Sequence, residues 1–222
     1  IFLLNNEKHS FEVNAYPSAR GVAVVAKDVT ERKRLEILQQ KRFELMEYSA
    51  HNTLEELMRK TMDEISELTG SEIGFFHLFE EDQNTPSDQI WSTKALRLFN
   101  VPLSEGRHRA VEQAGAWAEA VRQRRPLIQN ELESLPQRKG VPQGHARIMR
   151  EMVIPVIRNE KILAVLGVGN KPQDYTQQDL EIAGRLADYA WDITERKRMQ
   201  AALAEERNKL AHRVEERTTE LI

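Results

Sequence analysis

Residues 152–168 read MVIPVIRNEKILAVLGV: two apolar runs, Met152–Ile157 and Ile162–Val168, on either side of Arg158-Asn159-Glu160-Lys161. Short runs rich in Val and Ile on both sides of a polar turn predict a β-hairpin, and a tight hairpin makes its two strands antiparallel. Downstream, Thr176-Gln177-Gln178-Asp179 has the form of a capping box. It opens a helix that carries Leu180, Ala183, Leu186, Ala187, Ala190 and Trp191 on one side. From Asp192 the chain turns strongly charged and contains neither Pro nor Gly up to Ile222, which predicts one long helix leaving the domain.

Upstream of the hairpin, Glu133–Arg147 holds two prolines and two glycines and reads as a long irregular loop, the kind of segment that lines a site. Before it come a short strand at Leu127–Asn130 and a short helix at Ala114–Gln123. Ile73–Phe79 and Gln89–Thr93 read as strands, with the polar stretch Asp82–Asp88, containing Pro86, as the turn between them. Thr53 with Glu56 three residues on starts a helix whose Leu54, Leu57, Met58, Met62, Ile65 and Leu68 recur at helical spacing until Gly70 ends it. These elements predict an antiparallel sheet, with helices 53–69 and 176–191 together on one face and the loop 133–147 folded over the other.

Nearer the N-terminus, Phe11–Ala15 and Val22–Ala26 read as two strands around Pro17, Ser18 and Gly21. A helix then runs from Asp28, with Glu31 reaching back as in a capping box, to about Ala50; Leu35, Leu38 and Leu45 along it suit a short coiled coil. The chain begins at Ile1 and ends inside a helical pattern, so we read it as a piece of something longer.

The 222 residues are 40% hydrophobic, enough for one ordinary core with extensions, and 32 basic residues nearly balance 35 acidic ones. The net charge of −3 argues against nucleic acid or a membrane surface as partner, and no apolar run reaches the roughly 20 residues of a membrane span. The absence of cysteine excludes disulfides, thiolate metal sites and a chromophore attached through sulfur, and fits a cytoplasmic setting.

Asp28-Val29-Thr30-Glu31-Arg32-Lys33-Arg34-Leu35 recurs as Asp192-Ile193-Thr194-Glu195-Arg196-Lys197-Arg198-Met199. The repeat resembles the Asp-Ile/Val-Thr-Glu-Arg-Lys signature that closes PAS domains and begins their connector helix. The segment between the copies resembles a GAF domain of the kind found between PAS and kinase modules in sensor histidine kinases. That likeness is carried by the element order and by Gly115-Ala116-Trp117-Ala118, Arg125-Pro126-Leu127-Ile128-Gln129-Asn130, Leu135-Pro136-Gln137-Arg138-Lys139-Gly140, Gly144-His145 and Val165-Leu166-Gly167-Val168-Gly169-Asn170-Lys171. It implies an α+β fold, a GAF-like central antiparallel sheet with flanking helices and long connector, coiled-coil helices at both ends. The chain then divides into the last strands of a truncated PAS domain (1–27), a connector helix (28–50), the GAF domain (51–191) and a signalling helix (192–222). The implied function is sensory and not catalytic: a small molecule is received and the signal passes through helices paired in a homodimer to neighbouring PAS and kinase or other output modules. A spacer and dimerisation module without ligand is the alternative.

Several residues are candidates for the site. Trp91, His108, Trp117 and His145 suit the lining of a small-molecule pocket, and His108 or His145 a haem iron. Seven basic residues between Arg122 and Arg150, among them Arg125, Arg138 and Lys139, face two acidic ones, which suits an acidic ligand or else a solvated basic face. Asn170-Lys171, Tyr175 and Asp179 resemble the signature of cyclic-nucleotide GAF domains, with Leu180 where that signature has Glu; Lys171–Asp179 reads as a structural ion pair. His51 lacks the Glu-Leu-Arg-Thr-Pro that follows a histidine-kinase phosphoacceptor, and Gly167-Val168-Gly169 lies within a strand and is no phosphate loop.

Overall fold

The computed structural model describes residues 2–4, 7–79, 86–99, 116–132 and 148–219. Two short hairpins come first, β1 (Phe2–Leu4) with β2 (Glu7–His9) and β3 (Phe11–Ser18) with β4 (Gly21–Asp28). Helices α1 (Thr30–His51) and α2 (Leu54–Thr69) follow, then β5 (Ile73–Phe79), β6 (Pro86–Trp91), α3 (Thr93–Phe99), α4 (Ala116–Gln123) and β7 (Leu127–Gln129). The hairpin β8 (Glu151–Arg158) with β9 (Lys161–Gly169) leads into α5 (Gln177–Thr219).

Strands β5 to β9 form one sheet in the order β6-β5-β9-β8-β7, every neighbour antiparallel. The expected hairpin lies at its centre. Asn159 and Glu160 at its tip both have positive φ, 49° and 61°, the paired left-handed residues that match a hairpin turn to the twist of its strands. The Arg124 guanidinium donates to the Glu160 carbonyl there. Pro155, which has no N–H to give, lies beyond the three β8 residues that pair with β7.

Alternation along the strands gives the sheet two distinct faces. One carries Phe76, Met152, Ile154, Val156, Ala164, Leu166 and Val168, sealed by Leu57, Met62 and Ile65 of α2 and Ala183, Leu186, Ala190 and Trp191 of α5. Helices 2 and 5 thus share one face, as expected. Capping fixes where they start. The Thr53 hydroxyl and the Glu56 carboxylate cap each other's backbone N–H groups, Thr176 and Asp179 do the same, and Gly70 at φ 73° ends α2.

Four sequence expectations need correction. Leu38 and Leu45 of α1 are 1% and 0% exposed inside the chain's own core, so they are not available to a coiled-coil seam. Glu31 does not reach back to cap α1. It pairs with Arg34, while Asp28 accepts from the Thr30 N–H at 2.8 Å. Pro86 begins strand β6 and is not part of the preceding turn. The strand ends at Trp91, and Thr93 opens a helix because its N–H and hydroxyl donate to Asp63 of α2 at 2.6 and 2.7 Å.

Candidate functional site

The second face of the sheet is built from the alternate strand positions: Phe75, His77 and Phe79 of β5, Trp91 of β6, Val153 of β8, Val165 of β9 and Leu127 of β7. Helix α4 covers it with Trp117, Ala118 and Val121. The strands make room for this aromatic packing. Gly167 sits opposite Phe75, and a Cβ there would fall 2.1 Å from the Phe75 ring. The His77 ring, fully buried, lies between Phe75 at 5.1 Å and Trp117 at 5.3 Å, and Trp91 meets Phe75 edge-on at 6.0 Å.

Among the described residues, one charged group shares this face. Glu151 lies two residues before Val153, directly opposite Gln129 on β7 and Gly169 on β9, and is 4% exposed. No hydrogen bond or ion pair holds its carboxylate among the described residues, and burial pushes it up to about 7. The apolar run of the sequence begins at Met152, so Glu151 lies outside the expected strand, and His77 is embedded in an otherwise apolar one. Strand alternation from Val153 was the signal that reaches Glu151.

Of the candidate residues, the structure brings Trp91 and Trp117 to this face. Arg125 is exposed instead, its Nε donating to the Gln123 side chain at 2.7 Å, because it lies in the turn after α4 and not on a strand. The expected inward orientation of Arg125 is therefore corrected. His108, Arg138, Lys139 and His145 lie outside the described residues, as does the loop expected to fold over the sheet.

The cyclic-nucleotide-like residues form a bracket between β9 and α5. Lys171 Nζ meets Asp179 Oδ2 at 2.5 Å, and the same carboxylate accepts from the Thr176 N–H. The Tyr175 hydroxyl shares a hydrogen bond of 2.8 Å with Ser71, and burial holds its phenol well above the usual range. Asn130 holds the Tyr175 backbone on both sides, and Asn170 Oδ1 accepts from the Met149 N–H. A separate open cleft of about 370 Å³ lies at the root of the β3–β4 hairpin, lined by His9, Asp28, Thr30, Arg34 and Gln178 among others. Several of its charges are already partnered: Asp28 by Thr30 and His9, Arg34 by Glu31 and Glu181, Arg32 by Glu12. That makes it a joint between elements.

Residues 51–195 match the family model of the GAF domain. The chain belongs to the GAF family. The methyl sulfide methyltransferase-associated sensor of Methanosarcina acetivorans is 33% identical to it over 136 residues, 61% of this chain. The aligned stretch is only 14% of that relative's length. Among solved structures, the GAF domain of a phosphoenolpyruvate-protein phosphotransferase from Coxiella burnetii superposes with a TM-score of 0.60 at 15% identity, over 76% of this chain and 96% of that one. The free methionine-R-sulfoxide reductase of Neisseria meningitidis, in complex with its substrate, gives 0.56 at 13% identity, over 76% and 93%. At such identities these two structures speak for the GAF fold alone. No described helix of this GAF domain is long and apolar enough to cross a membrane.

Proposed function

We propose that this chain is the sensory module of a signal-transduction protein, a sensor histidine kinase by the architecture its repeated connector resembles. It binds a small molecule on the α4 face of the sheet and relays occupancy along α5 to an output module. The observation that carries the reading is the contrast between the two faces. The buried strand side chains that face α2 and α5 are apolar (Phe76, Met152, Ile154, Val156, Leu166 and Val168), whereas those of the α4 face combine aromatic rings with a buried imidazole and a buried carboxylate. Apolar area with a few convergent polar groups is the make-up of a ligand site. The relative named a sensor is in keeping with it.

The same strands β8 and β9 carry Val153 and Val165 on the α4 face and Met152 and Leu166 against α5. A ligand that shifts the strands changes the packing of α5 by differential contact in two states. The rival reading is a spacer without ligand, and the observation favouring it is that Phe75 and Trp117, 3% and 5% exposed, already fill much of the α4 face.

The test is native mass spectrometry and absorbance of the purified chain, with thermal melting against a metabolite library. A bound or stabilising compound whose effect disappears in Trp117→Ala supports the sensory reading. No stabilising compound, together with unchanged signal output from Trp117→Ala in the full-length protein, supports the spacer.

A further inference from the structure

We propose that Glu151 is the recognition group for a cationic ligand, one that carries an ammonium or amidinium on an apolar or aromatic body and binds on the α4 face. The inference rests on the reading of that face as a ligand site and names the chemistry the site accepts.

Glu151 adds nothing to the fold that an apolar residue would not supply better. Its side chain is 4% exposed, and among the described residues no donor replaces the lost solvation. Among the described residues the neighbouring cations are already committed, Arg150 to Asp174 at 2.9 Å and Lys171 to Asp179 at 2.5 Å. Its surroundings are apolar on one side, where Ile73 and Ile148 lie around Gly169. On the other side Gln129, directly across the strand pair, offers an amide. Val153, about 7 Å along the strand, leads to the Trp117 cluster. A cation seated on Glu151 thus has its partner charge in place, an amide beside it, and aromatic surface within reach for its body. The described charged group on this face is an acid, whereas of the described basic set Arg122, Arg124 and Arg125 are exposed and Arg150 is paired with Asp174. The site therefore selects positive charge.

Ionisation gives the inference a second readout. The described titratable and charged groups around Glu151 are Arg150 and Asp174, Lys171 and Asp179, Tyr175, and His77 along the same face. With its carboxyl pushed up to about 7, Glu151 is mostly ionised at pH 8 and mostly protonated at pH 6. Cation binding then weakens about tenfold between those values.

The experiment is titration calorimetry on the whole chain with benzamidine, its neutral isostere benzamide, and benzoate. Benzamidine is expected to bind with a dissociation constant of about 1 mM, the scale of a fragment-sized ligand, and benzamide at least about tenfold more weakly. Benzoate is expected to give no signal. Glu151→Gln should bring benzamidine down to the level of benzamide, and the wild type alone should show the loss of benzamidine binding at pH 6. Equal binding of benzamidine and benzamide at both pH values overturns the cationic class and leaves the ligand site standing. So does preference for benzoate. No binding by any of the three, with no stabilising compound in the metabolite library, removes both readings together; no binding by the three alongside a library hit that lacks a cationic nitrogen removes only this one.

Discussion

At the scale of single residues, Glu151 ties stability to pH with a definite sign. The folded state holds its carboxyl at about 7, above the ordinary 4.5. Below pH 4.5 the group is protonated folded or unfolded and has no effect. Between 4.5 and 7 the folded chain keeps a proton that the unfolded chain releases, so stability falls as pH rises, and above 7 the full penalty applies. Glu151→Gln removes the ionisation. Urea denaturation should find the variant more stable by on the order of 3 kcal/mol at pH 8 and indistinguishable at pH 4. A wild type whose stability is flat from pH 5 to pH 8 would contradict this. Gly167 makes the opposite point, since the missing side chain is what seats Phe75. Gly167→Ala puts a methyl 2.1 Å from that ring, and the displaced aromatic should cost about 1–3 kcal/mol in thermal melting. Phe75→Leu in the same chain should return part of that loss, because the two changes relieve one clash.

At the scale of elements, α1 is fastened to the GAF core at both ends. Arg34 near its start pairs with Glu181 of α5 at 2.5 Å. At its far end, Lys197 of α5 donates to the carbonyls of Ser49 and Asn52, capping the helix where its last C=O groups have no partner. Between these points Lys41 meets the buried Glu64 of α2 at 2.7 Å, and Leu38 and Leu45 enter the core. Leu45→Ala should therefore cost about 2–5 kcal/mol by chemical denaturation. A surface connector would tolerate the change within a few tenths of that scale. The sequence shows why these elements form more readily than where they pack. The β8–β9 hairpin, the capping boxes at Thr53 and Thr176 and the length of α5 are local, carried by neighbouring residues, and they appear in the chain as expected. Helix α3 is not local: its first turn is held by Asp63, thirty positions away. The spacing of Leu38 and Leu45 is the same whether the helix meets its own core or a partner, so only the fold separates the two. Trp91 and Trp117 could be assigned to one site from composition. Glu151 could not, because its meaning depends on which face of the strand the register turns inward.

At the scale of the whole molecule, α5 belongs to two environments. Up to Thr194 it closes the core, while Met199, Leu203, Leu210 and Val214 are all exposed in the single chain, 67%, 70%, 49% and 65%. From Arg198 to Val214, about 26 Å, every residue of the helix is exposed. Most helical stability comes from packing an apolar face, which this segment lacks in the single chain, and its apolar residues fall at the spacing of a coiled-coil seam: Leu203, Leu210, Val214 and Leu221, with Arg207 and Arg217 at the remaining seam positions. We predict a parallel homodimer through this segment, with the two arginines weakening it enough that two packings stay close in energy and ligand occupancy decides between them. Converting both, Arg207→Leu with Arg217→Leu, should tighten dimerisation at least tenfold by analytical ultracentrifugation and fix the full-length output at one level whatever the stimulus. Orientation is open to a direct check because the chain has no cysteine. Leu203→Cys and Val214→Cys, made singly, should both cross-link to their own symmetry mates under mild oxidation. An antiparallel pair brings at most one of those positions to itself. A monomer at high concentration, cross-linking at only one site, or a double-Leu protein that still responds to its stimulus would each defeat the mechanism.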